Sequence, residues 1–289
     1  MSGLCNKVLI LAAGLGTRMQ REDETAVLDE QQAEAADGGE KVYMPFEKGP
    51  FLDYSLQKIL DVKEVMGLRS LDVGLVINPK HTKFRQYYER LGERLAEEGL
   101  NLTCIHQKPQ LGTAHAVLAA RDWIGKDDFV LWNGDNYYLG DVVGRLMAYN
   151  GGDCACAGYD RAALIANSNI EPERIRRFAV IEVDRNGYLT KIVEKPENPD
   201  KDYPNASVSM NAFRFTSDIV QACEMTPPDP KNKDELLITK AVEIYIDEMH
   251  RPMKVIPVRE GVIDLTQKGD VNSAANFLRR VSAPSWYQG

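Results

Sequence analysis

The chain has 289 residues, 44% hydrophobic and 27% charged, enough to bury its own core without disulfides or a structural metal. A net charge of -8 and a pI near 5.2 argue against nucleic acid or an anionic membrane as main partner, since both reward a basic face. Residues 1–7 hold no signal peptide and no apolar run reaches the ~18–20 residues that span a bilayer, so a cytoplasmic protein is expected. In chain order, Val8-Leu-Ile-Leu-Ala-Ala is a continuous apolar run stopped by glycine, the pattern of a strand buried on both faces. Between Gln20 and Glu40 stand eight acidic residues and one basic residue, which predicts a mobile surface loop with a helical turn at 29–36. Helical spacing follows over 53–66, 81–98 and 113–123, alternating with the strand runs Asp72-Val-Gly-Leu-Val-Ile-Asn78, Leu102-Thr-Cys-Ile-His106 and Phe129-Val-Leu-Trp132. That alternation predicts parallel βαβ units with helices on both faces of a sheet.

After about residue 150 the texture changes. The run Asp153-Cys-Ala-Cys-Ala-Gly reads as a strand, and the five cysteines (Cys5, Cys104, Cys154, Cys156, Cys223) read as buried thiols of a reducing compartment. Two strand-like runs flanking Asn186-Gly187 predict a β-hairpin. Further strands are expected at 207–215 and 253–258, a helix at 234–248 and a closing helix at 271–281. The expected fold class is therefore α/β: a mixed, mostly parallel sheet flanked by helices, carrying a smaller α+β lobe. We take 1–289 as one domain, with a core over about 1–150, the lobe over about 151–270 and a closing helix and tail over 271–289.

The segment Leu11-Ala12-Ala13-Gly14-Leu15-Gly16-Thr17-Arg18-Met19 carries the chemistry. A strand ending in Gly14-x-Gly16 aims backbone N–H groups from the carboxyl edge of a sheet, where amides free of a Cβ can surround phosphate oxygens. A dinucleotide fingerprint requires a third glycine where Met19 stands, and a Walker A loop requires a Gly-Lys-Ser/Thr that is absent. A plain strand-to-helix turn without ligand is the structural alternative. Arg18 follows the glycines, and its guanidinium can fork onto phosphate oxygens. Asp135 sits just beyond the run ending at Trp132, at the carboxyl end of a central strand, where open α/β sheets bind ligands.

The Gly-rich run resembles the signature of the sugar nucleotidyltransferases, the family of uridylyl- and thymidylyltransferases acting on sugar 1-phosphates. Further resembling segments come in family order: Lys41-Val-Tyr-Met-Pro45 with Gly49-Pro-Phe-Leu-Asp-Tyr, then Gln107-Lys-Pro-Gln-Leu-Gly112-Thr-Ala, then Gly134-Asp135-Asn136. Val193-Glu194-Lys195-Pro196 and Val262-Ile-Asp264-Leu-Thr complete a set spanning residues 8–270. The resemblance implies a Rossmann-like core with a sugar-binding lobe. It also implies attack by a sugar 1-phosphate oxygen on the α-phosphorus of a nucleoside triphosphate, UTP first and dTTP next, with release of pyrophosphate. Such a nucleophile is already an anion, so the site needs cations, amides and metal-bound carboxylates rather than a general base.

By that resemblance Arg18, Lys41 and Lys195 are catalytic. Leu11, Ala12, Ala13, Gly14, Gly16, Thr17, Gln107, Gly112 and Thr113 bind nucleotide. Gly158, Glu194 and Asn211 face the sugar, and Asp135 with Asp264 holds Mg2+. The expected partners are a nucleoside triphosphate and a sugar 1-phosphate, with no nucleic acid or membrane, and a homo-oligomer stays open. Two features depart from the family pattern: the long acidic stretch between Arg18 and Lys41, and Phe178-Ala-Val where many relatives have Tyr-Gly-Val. No hexapeptide-repeat acetyltransferase domain is expected, since nothing follows residue 289. The competing functions are a catalytically silent nucleotide-sugar-binding regulatory subunit and an NAD(P)-dependent oxidoreductase, the latter opposed by the missing third glycine.

Overall fold

The structure, a computed structural model, describes residues 4–24 and 26–287. Expectations for residues 1–3 and for the last two residues of the tail lie outside these. The apolar run near the N-terminus forms the strand Lys7–Ala12, and it takes the middle of the sheet. Parallel neighbours flank it, Leu71–Ile77 on one side and Phe129–Asn133 on the other, and Leu100–His106 extends the parallel part outward. Side chains alternate as strand geometry requires. Val8, Ile10 and Ala12 enter one core with the helices Phe51–Val65 and Thr82–Glu97, while Leu9 enters a second core with Thr113–Ala119, Ile219–Met225 and Ile238–Asp247. Burial on both faces is why Lys7–Ala12, Leu71–Ile77 and Phe129–Asn133 read as near-continuous apolar runs, whereas Leu100–His106, at the sheet edge, exposes Asn101, Thr103 and His106.

Beyond Phe129–Asn133 the sheet turns antiparallel through Phe213–Phe215, Cys154–Tyr159, Ser207–Val208, Val180–Val183 and Leu189–Val193. Met253–Val258 runs parallel to Cys154–Tyr159 along its length. The last two strands of the antiparallel series are the expected hairpin, with Gly187 at φ 75° closing its turn. One irregularity matters for the cleft. Val208 pairs with Tyr159 and Phe213 with Cys156, so residues 209–212 stand opposite only Ala157 and Gly158. The surplus bulges, with Asn211 at φ 55°.

Within the acidic stretch the helical turn expected at 29–36 is present, as a packed helix rather than part of a mobile loop. Residues Glu30–Asp37 form a helix with a capping box, Asp29 accepting from the Gln32 N–H at 2.8 Å. Its buried Ala35 and Ala36 join a third core with Met19, Met44 and Phe51, and Glu34 pairs with Lys83 at 2.5 Å. The helix expected over 234–248 starts later, at Ile238, because the preceding residues pair with 111–114.

Candidate active site

The carboxyl ends of three parallel strands define one edge: Ala12 is level with Ile77, and Leu11 with Asn133. The Gly-rich loop and Asp135 leave the sheet there, side by side. Gly134 lets them approach, because a Cβ would stand 3.0 Å from the Leu11 carbonyl oxygen and 3.3 Å from Val42. The loop's two glycines then part company. Gly14 is exposed, with nothing within 4 Å of a Cβ built on it. Gly16, at φ 62°, is pressed against Gly39 at the end of the inserted helix, whose carbonyl oxygen would lie 2.5 Å from a Cβ. The gap at Gly16 is thus filled by the chain itself. Leu11, Ala12 and Ala13 lie at the strand end, with Ala12 and Ala13 buried, while Thr17 and Arg18 stand exposed on the rim of a cleft of about 1060 Å³.

Across the edge, a short ladder pairs Asn136–Tyr138 with Val262–Asp264 and sets Asp264 against Asn136. The Leu265 N–H donates to the Asp135 carbonyl at 2.9 Å, so the two predicted metal carboxylates sit on touching backbones and both line the cleft. Lys41 reaches Asp135 with an ion pair. Asp264 is 4% exposed; its Oδ1 accepts from Asn136 at 2.7 Å and Thr266 at 3.1 Å, and its Oδ2 takes Arg174. Burial, and then the charge of Asp135, pushes the Asp264 carboxyl well above the usual carboxylate range, with Arg174 and Lys41 opposing.

The lobe supplies the opposite wall. Glu194 and Lys195 end the strand Leu189–Val193; Glu194 accepts from the Thr239 hydroxyl at 3.0 Å, and Lys195, at φ 43°, donates to Asn232. Burial raises the Glu194 carboxyl's pKa, while Thr239 and Lys195 lower it. The bulge presents Ser209, Met210 and Asn211 to the same cleft. Gly158 lies behind that bulge in the sheet rather than on the cleft wall; a Cβ there would meet Val255 at 2.6 Å and Ile181 at 3.2 Å, which makes packing the visible reason for glycine.

Gln107 and Gly112 also turn inward. Gln107 is 3% exposed and its amide donates to the Gly112 carbonyl at 2.9 Å, closing the loop on itself. Gly112, at φ 97°, is covered by the Leu236 carbonyl oxygen, 2.6 Å from where a Cβ would stand. Thr113 alone of that segment lines the cleft, its hydroxyl accepting from the Ile238 N–H at 2.8 Å. The structure therefore gathers Thr17, Arg18, Thr113, Asp135, Glu194, Lys195, Asn211 and Asp264 on the cleft wall, with Lys41 held to it through Asp135.

Sequence reasoning missed Arg174, Arg177, Thr239 and the amide of Asn136. The local signals were the Gly134-Asp135-Asn136 segment for Asn136 and the basic run ending at Arg177 for the two arginines. Eight basic and six acidic side chains line the cleft, against 35 and 43 in the whole chain, so a cation-rich site lies within an acidic protein.

Comparison with known proteins matches this architecture. UDP-glucose pyrophosphorylase complexed with UDP-glucose superposes with a TM-score of 0.71 at 18% identity, over 96% of this chain and 99% of that one, a likeness of fold. The glucose-1-phosphate thymidylyltransferase of Streptomyces griseus is 30% identical over 241 residues, 83% of this chain and 57% of that protein. The UTP–glucose-1-phosphate uridylyltransferase AglF of Haloferax volcanii is 29% identical over 246 residues, covering 83% of each. The low-salt glycan biosynthesis nucleotidyltransferase Agl11 of the same organism is 27% identical over 84% of this chain and 57% of its own length. The chain thus spans little more than half of two of these relatives. The family model for nucleotidyl transferases matches residues 40–279, most of the chain and both carboxylates, though not the Gly-rich loop. The chain belongs to the nucleotidyl transferase family.

Proposed function

We propose that this chain transfers a nucleotidyl group from a nucleoside triphosphate to a sugar 1-phosphate, releasing pyrophosphate. One observation carries the reading: a single cleft at the carboxyl edge of the sheet receives Arg18, the Asp135–Asp264 pair and Lys195 with Glu194. Two polyanions meeting there need charge offset and alignment more than proton transfer. Arg18, on the cleft rim, would fork onto the triphosphate, with the exposed Gly14 four residues before it. Lys195 would take the sugar phosphate and Glu194 a sugar hydroxyl, with Asn211 on the same wall. Lys41, paired with Asp135, would bring a second cation to the phosphates.

The paired carboxylates fit a hard, oxygen-seeking cation, and Mg2+ is our choice. Among the described residues no cluster of three or more His, Cys, Asp or Glu side chains forms a metal cage, which suits an ion that takes one or two carboxylates and completes its shell with phosphates and water. Bound by Asp135 and Asp264, it would add positive charge to the phosphate oxygens.

UTP ranks first as donor and dTTP second, on the motif resemblance and on relatives that use each name. The test is pyrophosphate release from a panel of triphosphates and sugar 1-phosphates with Mg2+. Turnover with one pair at an ordinary enzymatic rate supports the reading. Nucleotide-sugar binding with no turnover on any pair would sink it in favour of a silent binding subunit.

A further inference from the structure

Arg174 stands apart from the residues that the motifs marked. Its guanidinium joins two buried carboxylates: one arm pairs with Asp264 Oδ2, and the other reaches Asp270 Oδ1 at 2.5 Å. Both acids are 4% exposed, whereas the arginine side chain is 15% exposed and lines the cleft.

A structural clamp is the plainer account, yet that task is already covered. Asn169 holds the Asp264 backbone from both sides, donating to its carbonyl at 2.9 Å and accepting from its N–H at 2.7 Å. Asp270 Oδ2 accepts from the Thr266 and Gln267 N–H groups, each at 2.9 Å, which fixes the turn between the acids. Asn136 and Thr266 fix the rotation of the Asp264 carboxylate through Oδ1. What Arg174 alone adds is a positive charge on the remaining oxygen.

We propose that Arg174 is a positioning residue that serves as resident counter-ion of Asp264, holding Oδ2 until a divalent cation and phosphates enter and take that oxygen over. The proposal rests on reading Asp135 and Asp264 as the metal pair. Two positive charges on one carboxylate oxygen repel, so the cation and the guanidinium compete for it. Asp270 keeps the second arm, so Arg174 has only to rotate off Asp264, and an incoming phosphate offers it a bidentate partner.

The test is Mn2+ binding to the substrate-free protein at a fixed, mildly alkaline pH, read from the electron paramagnetic resonance of free Mn2+. Arg174→Gln should bind Mn2+ about tenfold more tightly than wild type, and Arg174→Lys, which keeps the charge, should stay within about threefold of it. Asp135→Asn should weaken binding in either background. Equal or weaker Mn2+ binding by Arg174→Gln, as a mere clamp predicts, overturns the proposal while leaving the metal pair standing. Wild-type binding that Asp135→Asn leaves untouched overturns both. Should Arg174→Gln fail to fold, arginine side-chain NMR of the wild type reads the same contact. Of the signals missing in Arg174→Lys, that of the Nη2 arm should lose its exchange protection as Mg2+ is added while the Nη1 arm on Asp270 keeps its own, and persistence of the Nη2 protection at saturating Mg2+ overturns the proposal.

Discussion

Gly14 and Gly16 lie two residues apart, and alanine should separate their roles. At position 16 the backbone is left-handed, φ 62°, which costs an added side chain roughly 1–2 kcal/mol. The new methyl would also stand 2.5 Å from the Gly39 carbonyl oxygen and 2.7 Å from its Cα. That neighbour is backbone, so no rotamer change relieves the clash, and parting the two loops adds roughly 1–3 kcal/mol of overpacking strain. A total of about 3 kcal/mol in a chain of this size lowers the melting temperature by roughly 6–12 °C. Gly14 has no neighbour within 4 Å of its built Cβ and no positive φ, so Gly14→Ala should leave stability unchanged within about 1 kcal/mol. If phosphate oxygens approach the Gly14 amide, the methyl should raise the KM for the triphosphate at least ~10-fold. The assay is calorimetry beside steady-state kinetics on both variants. Equal losses of melting temperature would refute the packing argument, and an unchanged triphosphate KM in Gly14→Ala would remove that glycine from phosphate binding.

Arg18→Ala should cut kcat by at least ~10²-fold with no loss of melting temperature, because the side chain is exposed and works on developing phosphate charge; a near-wild-type rate refutes that role. Asp135→Ala should abolish divalent-dependent turnover across a Mg2+ titration, and substantial residual activity would remove it from the metal pair. Asp53 is buried and accepts from Tyr87 at 2.5 Å, Tyr88 at 2.7 Å and Trp286 at 2.9 Å, yet burial still raises its pKa. The folded chain therefore binds this proton more readily than the unfolded chain. The group's stabilising contribution is present below the ordinary value of about 3.9 and is lost as pH rises through the folded pKa. The unfolding free energy of wild type relative to Asp53→Asn should accordingly rise as pH falls from neutral; a flat difference refutes the assignment.

The parallel half of the sheet was legible because burial on two faces leaves unbroken apolar runs, as in Lys7–Ala12, and the antiparallel hairpin of the lobe was legible because Asn186-Gly187 suits the turn between its strands. The helix Glu30–Asp37 was legible only as a turn at 29–36, since eight residues this polar carry little helical pattern. Its supports are Lys83, Lys268 and the Gly16 backbone, which only folding brings near. The segment from Gln107 to Gly112 has contacts that its local motif does not reveal. The resemblance assigned it to nucleotide binding; in the structure Leu236, more than a hundred residues away, covers the glycine, and the glutamine amide bonds within its own loop. Arg174 sits in a four-residue helix with no sequence period to mark it, and its partners are about 90 residues further on.

The overall charge also misdirects unless it is located. The stretch between Gln20 and Glu40 has eight acids and one base, so it accounts for seven of the eight net negative charges. The rest of the chain is close to neutral, which leaves a cation-rich cleft free to attract phosphates despite the acidic pI. Nor is the insertion electrostatically idle. Asp37, at the end of its helix, pairs at 3.0 Å with Lys268, a cleft-lining residue just beyond the Asp264 segment. Two residues on, Gly39 packs backbone to backbone against Gly16 of the Gly-rich loop. One short turn thus fixes the loop that would face the triphosphate and the segment bearing the second carboxylate. A shift of that turn would move both walls together, so damage to the insertion should appear as coupled losses in triphosphate KM and in metal affinity, where damage to Gly14 or to Asp135 alone should not.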